Sequence, residues 1–376
     1  MAGRAVSVVG DGIGSLALVV HVQATEGTGT AVALLLLAAS LPRLLSPLAG
    51  TVADRFDARL VLAGGELGQG LLLAGAALWL PPLPVLVVLL LAKATIVTVA
   101  EPAAITAVPA LVPDDDLPGA NALLGGLRQA GEVLGPLLGG LVVAGGGVRA
   151  GLAVDALTFL VSVPLLARLP GLPPEPTGET APRLLADARA GLAYALRNPV
   201  ARPLTMGFFL VGLGAGDDVA LPFLARDLDA GERGIGVLYA AVGAGLVLGY
   251  LVLAGRARRP TPVRGLVAGA AVAAVGNALT GLSPVIVAAV AFQLVRGTGL
   301  AAYETMLQTV LQRSVPRHLL GRVSANVYGG VNVAACIGLL VAGPLLDATS
   351  ARVVLVASGA VGVAAATVSA RAARVG

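Results

Sequence analysis

Among the charged residues inside the long apolar runs of this 376-residue chain, a short list could do chemistry: Asp11, Lys93, Glu101, Arg128, Glu132, Asp155, Asp217, Arg296 and Glu304. A charge at the centre of a bilayer costs about 2.5–3.5 kcal/mol on insertion scales, so such residues usually face a cavity or a partner. Lys93 is the only lysine in the chain. Unlike arginine, a buried lysine can release its proton near neutral pH. Glu101 follows eight residues later, a little over two helical turns on and on a similar face. Burial disfavours the charged form of a carboxyl and a nearby cation favours it. A group held between those influences can load and unload protons. Asp11, Lys93, Glu101, Arg296 and Glu304 are therefore the proton-coupling candidates. The plainer alternative is a set of fixed ion pairs holding helices together. For Asp11 the alternatives are a proton or cationic-substrate site, or a partner of Arg128 or another helix. Asp217 and Asp218 read as solvated residues near the outer end of the seventh apolar run.

The elements that must position these residues are membrane-spanning helices. The chain is 57% hydrophobic and 12% charged, where a soluble protein carries about 25% charge. Its 51 glycines suit helices packed closely in lipid. A spanning helix needs about 20 apolar residues. Apolar runs give twelve: Ala5–Thr25, Thr30–Leu48, Leu60–Leu80, Val85–Val108, Ala120–Ala144, Val148–Ala167, Pro203–Leu224, Gly234–Ala254, Val263–Leu282, Pro284–Leu307, Val323–Leu345 and Arg352–Ala370. The expected organisation is a six-helix half over 1–168, a cytoplasmic linker over 169–202 and a second six-helix half over 203–376. Within the linker, Leu184–Leu196 reads as an amphipathic helix on the membrane surface.

Arginine placement sets the orientation, because Lys and Arg resist translocation. With both termini in the cytoplasm, seventeen arginines fall inside and Arg149, Arg226, Arg233 and Arg352 outside. The acidic run Asp114-Asp115-Asp116 is then cytoplasmic, and acids count little for topology. The chain also repeats. At an offset of 203, Lys93 meets Arg296 and Glu101 meets Glu304; at an offset of 206, Gly10-Asp11 meets Gly216-Asp217.

Two motifs carry a resemblance. Between the second and third runs lies Gly50-Thr51-Val52-Ala53-Asp54-Arg55-Phe56-Asp57-Ala58-Arg59. This hairpin turn resembles the signature loop of the major facilitator superfamily, with Asp57 and Ala58 where the family pattern has Gly and a base. The flanking Leu41-Pro42-Arg43-Leu44-Leu45 is similar to the drug- and siderophore-efflux branch that includes enterobactin exporters and macrolide-efflux proteins. The resemblance implies the major facilitator fold, an all-α polytopic membrane protein of twelve helices, with a substrate site near the midplane. It implies a conformational latch built from Gly50, Asp54, Arg55 and Arg59. Asp54 would cap the eleventh helix, whose start is expected near Val323 and whose amino end carries partial positive charge. Arg55 and Arg59 would bridge the halves or meet anionic lipid. In the fifth run, Gly131, Gly135, Pro136, Gly139 and Gly140 resemble a Gly-Pro-x-x-Gly-Gly motif of superfamily antiporters. Pro136 would bend that helix.

The expected function is a secondary transporter, a proton-coupled antiporter exporting small apolar or amphiphilic compounds. The alternatives are a symporter or facilitator importing a nutrient, and a non-transporting membrane sensor. No Walker-type phosphate loop is present, and neither a Ser/His/Asp set nor a His-Glu-x-x-His run can be assembled, so no enzyme is expected. Cys336 is the single cysteine, and His21 and His318 are far apart in the sequence. No metal and no cofactor is expected. With 3% aromatics a sugar site is poorly served. The basic residues are scattered, which excludes a nucleic-acid face. The expected partners are a small-molecule substrate, protons and membrane lipid, with the protein a monomer in the cell (inner or plasma) membrane. Relatives of this branch usually have a few more residues before Gly10-Asp11, so the true start is expected slightly upstream.

Overall fold

The computed structural model describes residues 2–46, 55–173, 184–255 and 262–374. Nearly all of these are helical, with no strand among the described residues. The helices are α1 (Ala2–Glu26), α2 (Gly29–Ser40), α3 (Ala58–Trp79), α4 (Leu83–Leu111), α5 (Leu117–Ala167), α6 (Leu184–Arg197), α7 (Ala201–Leu213), α8 (Asp217–Asp227), α9 (Gly231–Gly255), α10 (Pro262–Gly281), α11 (Ile286–Ser314), α12 (Arg317–Ala348) and α13 (Ala351–Ser369). A 3-10 turn, Leu41–Leu45, extends α2, and another, Gly214–Gly216, joins α7 to α8.

Among the described residues, ten segments are long and apolar enough to cross a membrane, and Gly29–Leu45 is a shorter apolar one. The 45-residue segment Leu123–Ala167 makes two crossings, because α5 breaks at Gly147, where φ is 75°. That backbone conformation is open to glycine and strained for other residues. α7 and α8 form one of the ten, so counting the shorter Gly29–Leu45 as a crossing brings the total among the described residues to the expected twelve. The eleventh crossing, α12, begins at Arg317 rather than near Val323. The amphipathic helix expected over Leu184–Leu196 is α6.

Local chemistry sets several ends. Gly27, with φ of 67°, separates α1 from α2. Leu80 adopts the left-handed conformation and closes α3. Asp57 caps the start of α3, accepting from the Arg59 N–H at 2.9 Å. The same Oδ1 accepts from Leu172 N at 3.2 Å, and Ala58 N donates to the Leu172 carbonyl at 3.0 Å. Asp57, the departure from the family loop, therefore ties the start of α3 to the chain leaving α5.

The chain forms two compact units. Unit one is Met1–Gly27, Leu34–Glu179 and Gly231–Ala240; unit two is Thr28–Ala33, Thr180–Ala230 and Ala241–Gly376. In unit one, α1 packs against both arms of α5. Gly12 and Gly135 meet backbone to backbone, so that a Cβ on Gly12 would sit 2.6 Å from the Gly135 Cα. In the second arm, a Cβ on Gly151 would sit 2.8 Å from Ala17. Unit two has the larger aromatic core, with Tyr303 fully buried and Phe208 5.8 Å and 5.5 Å from the rings of Tyr303 and Tyr328. The units depart from the expected halves at two helix starts. The first turn of α2 lies in unit two, where Gly29 N and Thr30 N donate to the Asp347 carboxylate at 2.5 and 3.0 Å. The start of α9 lies in unit one, where a Cβ on Gly236 would sit 3.0 Å from the Gly140 Cα.

Candidate functional site

Each unit contains an ion pair deep in its spans. In unit one, Lys93 is bonded to Asp11. Asp11 is the tenth residue of α1, roughly 14 Å from its start at 1.5 Å per residue, near the middle of a ~30 Å hydrocarbon layer. Lys93 is the eleventh residue of α4, at a similar depth. The Lys93 side chain is 9% exposed and that of Asp11 48%. The pair thus has a closed side and an open one. On the closed side the Lys93 ammonium lies 5.6 Å from the Phe159 ring centre, a cation–π arrangement. Asp155 is also near enough to act on Lys93 electrostatically.

In unit two, Arg296 of α11 is bonded to Asp217 at the start of α8. Here both members are enclosed, with side chains 13% and 1% exposed. Arg296 also donates to Gln293 Oε1 at 3.1 Å. Asp217 is therefore not the solvated mouth residue expected from the sequence. It is the seventeenth residue of a 27-residue segment, Ala201–Asp227, and the Gly214–Gly216 turn just before it places it well inside the span. The repeat noticed in the sequence is chemical: Lys93 and Arg296 are equivalent bases, and each takes the aspartate that follows the equivalent glycine.

Glu101 does not join this arrangement. Its side chain is 53% exposed and lies 3.7 Å from Arg128, which is itself 3.8 Å from Glu132. Glu132 also accepts from Gln129 at 3.2 Å. Eight residues along a helix is about 12 Å, too far for Glu101 to touch Lys93. Arg128 therefore partners Glu101 and Glu132, and Asp11 is held by Lys93. Glu304 is exposed and accepts from the Tyr250 hydroxyl at 3.0 Å. The sequence reading missed Glu66 altogether. This buried residue of α3 accepts from Ser7 of α1 at 3.4 Å and from Ser162 of α5.

The glycine motif is a packing surface. Gly131, Gly135 and Gly139, spaced by four, present one stripe to α1, where Cβ atoms would press on Val8, Gly12 and Ile13. Pro136 lies within α5 beside this stripe, and Gly140 faces the start of α9, including Glu232 and Gly236. Of the loop candidates, Gly50 and Asp54 lie outside the described residues. Arg55 is exposed, and Arg59 donates to the Leu169 carbonyl at 3.4 Å.

Solved structures share this fold. A bacterial homologue of the lysosomal transporter Spinster, described as inward-facing and unoccupied, aligns with a TM-score of 0.76 at 16% identity, over 99% of this chain and 96% of that one. The nucleoside transporter NupG aligns at 0.75 and 15%, over 96% of each chain. An inward-facing bacterial homologue of the iron transporter ferroportin aligns at 0.74 and 19%, over 98% of this chain and 96% of that one. Fold and spans together define a multi-pass helical membrane protein. Residues 4–375 match the family model described as transmembrane secretion effector, and the chain belongs to this family of the major facilitator superfamily. It is 32% identical over 301 residues to the enterobactin exporter EntS of Escherichia coli O1:K1 / APEC, covering 77% of this chain and 71% of that protein. The same figures hold for the enterobactin exporter of Shigella boydii serotype 18.

Proposed function

We propose that this protein is a proton-coupled antiporter that exports small apolar or amphiphilic compounds, with siderophores of the enterobactin kind first among the candidate cargoes. The observation that carries the reading is the Lys93–Asp11 pair, closed on the lysine side and open on the aspartate side. An accessible carboxylate held by a base that can itself deprotonate can exchange its partner for a proton or for cargo. The curated relatives are named exporters, and the Gly131–Gly140 stripe supports export through its likeness to the antiporter motif.

Transport proceeds by alternating access, with protons flowing in as cargo leaves. Both termini are cytoplasmic, a reading the arginine distribution supports. Asp54, with Gly50, Arg55 and Arg59, acts as a latch whose breaking shifts the balance between conformations. The protein works as a monomer in contact with lipid. The test is enterobactin accumulation in proteoliposomes with an imposed pH gradient. Antiport predicts accumulation when the vesicle interior is acid. Accumulation only with an acid exterior would make the protein a symporter, and indifference to the gradient would remove proton coupling.

A further inference from the structure

Among its described residues, unit one buries two carboxyls, Asp155 and Glu66, and one base, Lys93. Lys93 supplies one ammonium, and Asp11 already takes it. Asp155 of α5 is 0% exposed, and neither of its oxygens has a hydrogen-bond partner among the described residues. The charged groups that face it are Asp11 from α1, Glu66 from α3 and Lys93 from α4. Arg43, in the turn after α2, acts on Lys93. The Asp155 side chain is pressed against Gly14 of α1, where a Cβ would sit 2.7 Å from its Cγ. A carboxylate sealed away without a donor is far costlier than a neutral carboxylic acid in the same place.

A polar file continues from this point. Ser162 lies seven residues after Asp155, two turns along the same face of α5. Ser7 lies four residues before Asp11 on α1. Both serine hydroxyls donate to the Glu66 carboxylate. Glu66 is the ninth residue of α3, about 12 Å from the helix start, which is the cytoplasmic end in the proposed orientation.

We propose that Asp155 stores the proton of unit one, and that Glu66, with Ser7 and Ser162, relays that proton to the end of the unit where α1 and α3 begin. This rests on the proton-coupled reading above. In the step, the O–H bond of Asp155 breaks, and the carboxylate left behind joins Asp11 around the Lys93 ammonium. The proton moves along the file to a serine hydroxyl, which hands its own proton to the Glu66 carboxylate. Net charge in the file is unchanged.

Infrared spectroscopy of the reconstituted full-length protein, moved from water into deuterium oxide, tests the proposal without cargo. The expected result is a carbonyl band of a neutral carboxylic acid that is lost in Asp155→Asn. In Glu66→Gln the band remains, and its deuterium exchange slows on the order of 10²-fold, the scale of a positioned acid–base group. Asp155→Asn is nearly isosteric with a neutral acid, so its melting temperature stays at the wild-type value. A band that survives Asp155→Asn, a collapse in the melting temperature of that variant, or wild-type exchange in Glu66→Gln would overturn the proposal. Enterobactin accumulation in an imposed pH gradient separates the two readings. A gradient-driven wild type with no band at Asp155 removes the proton store and keeps coupling. A gradient-indifferent wild type that shows the band keeps the store and removes coupling.

Discussion

The two buried pairs occupy equivalent places in the repeat but differ in three ways. In unit one the base is a lysine, its aspartate is half-exposed, and Asp155 stands close by without a hydrogen-bond donor among the described residues. In unit two the base is an arginine, which stays charged, and its aspartate is 1% exposed. The difference teaches that a duplicated architecture need not duplicate a role. On our account the unit-one cluster exchanges protons, and the unit-two pair is a fixed strut.

The comparison can be broken first through stability. Arg296→Met strands Asp217 in a closed site and is expected to cost about 3–5 kcal/mol. Lys93→Met costs less, because the Asp11 side chain is half-exposed. Thermal unfolding in detergent should therefore rank Arg296→Met below Lys93→Met, and the reverse order would contradict the assignment of strut and exchanger. Next in size is the packing that holds α1 in place. Gly135→Ala sets a methyl against the Gly12 backbone and is expected to cost about 1–3 kcal/mol, read as a lowered melting temperature. The cap of α3 follows: Asp57→Ala removes an N-cap worth about 0.5–2 kcal/mol, measurable as faster amide exchange in the first turn of α3. Smallest is Glu101→Gln. An exposed pair of this kind contributes about 0–1 kcal/mol, so both stability and gradient-driven transport should stay near wild type. A large loss of coupling in Glu101→Gln would move the proton site out of the cluster around Lys93.

The spans were legible because a bilayer demands long apolar runs, and the sequence displays them directly. The repeat was legible because equivalent bases kept their spacing. The partners were not. Lys93 and Glu101 share a helix and invite pairing, but their axial separation sends each to a different neighbour, Asp11 and Arg128. Asp155 stood among the costly charges, yet its proximity to Lys93 depends on the break at Gly147, which turns the second arm of α5 back along α1. Glu66 carried the same signal as the other charges, a carboxyl inside the run Leu60–Leu80; what the sequence did not display is that Ser7 and Ser162 close over it. Asp217 was misplaced because distance from the end of an apolar run ignores the Gly214–Gly216 turn that sets its depth. Asp57 stood in the sequence only as a departure from the family loop, and the structure makes it a helix cap.

The most direct measurement compares Asp11→Asn with Asp217→Asn in proteoliposomes, following enterobactin movement with and without an imposed pH gradient. The account predicts that Asp11→Asn still moves cargo down its own gradient but no longer responds to pH. Asp217→Asn should yield less folded protein, while the fraction that folds stays driven by pH. Gradient-driven accumulation that survives in Asp11→Asn and vanishes in Asp217→Asn would contradict it.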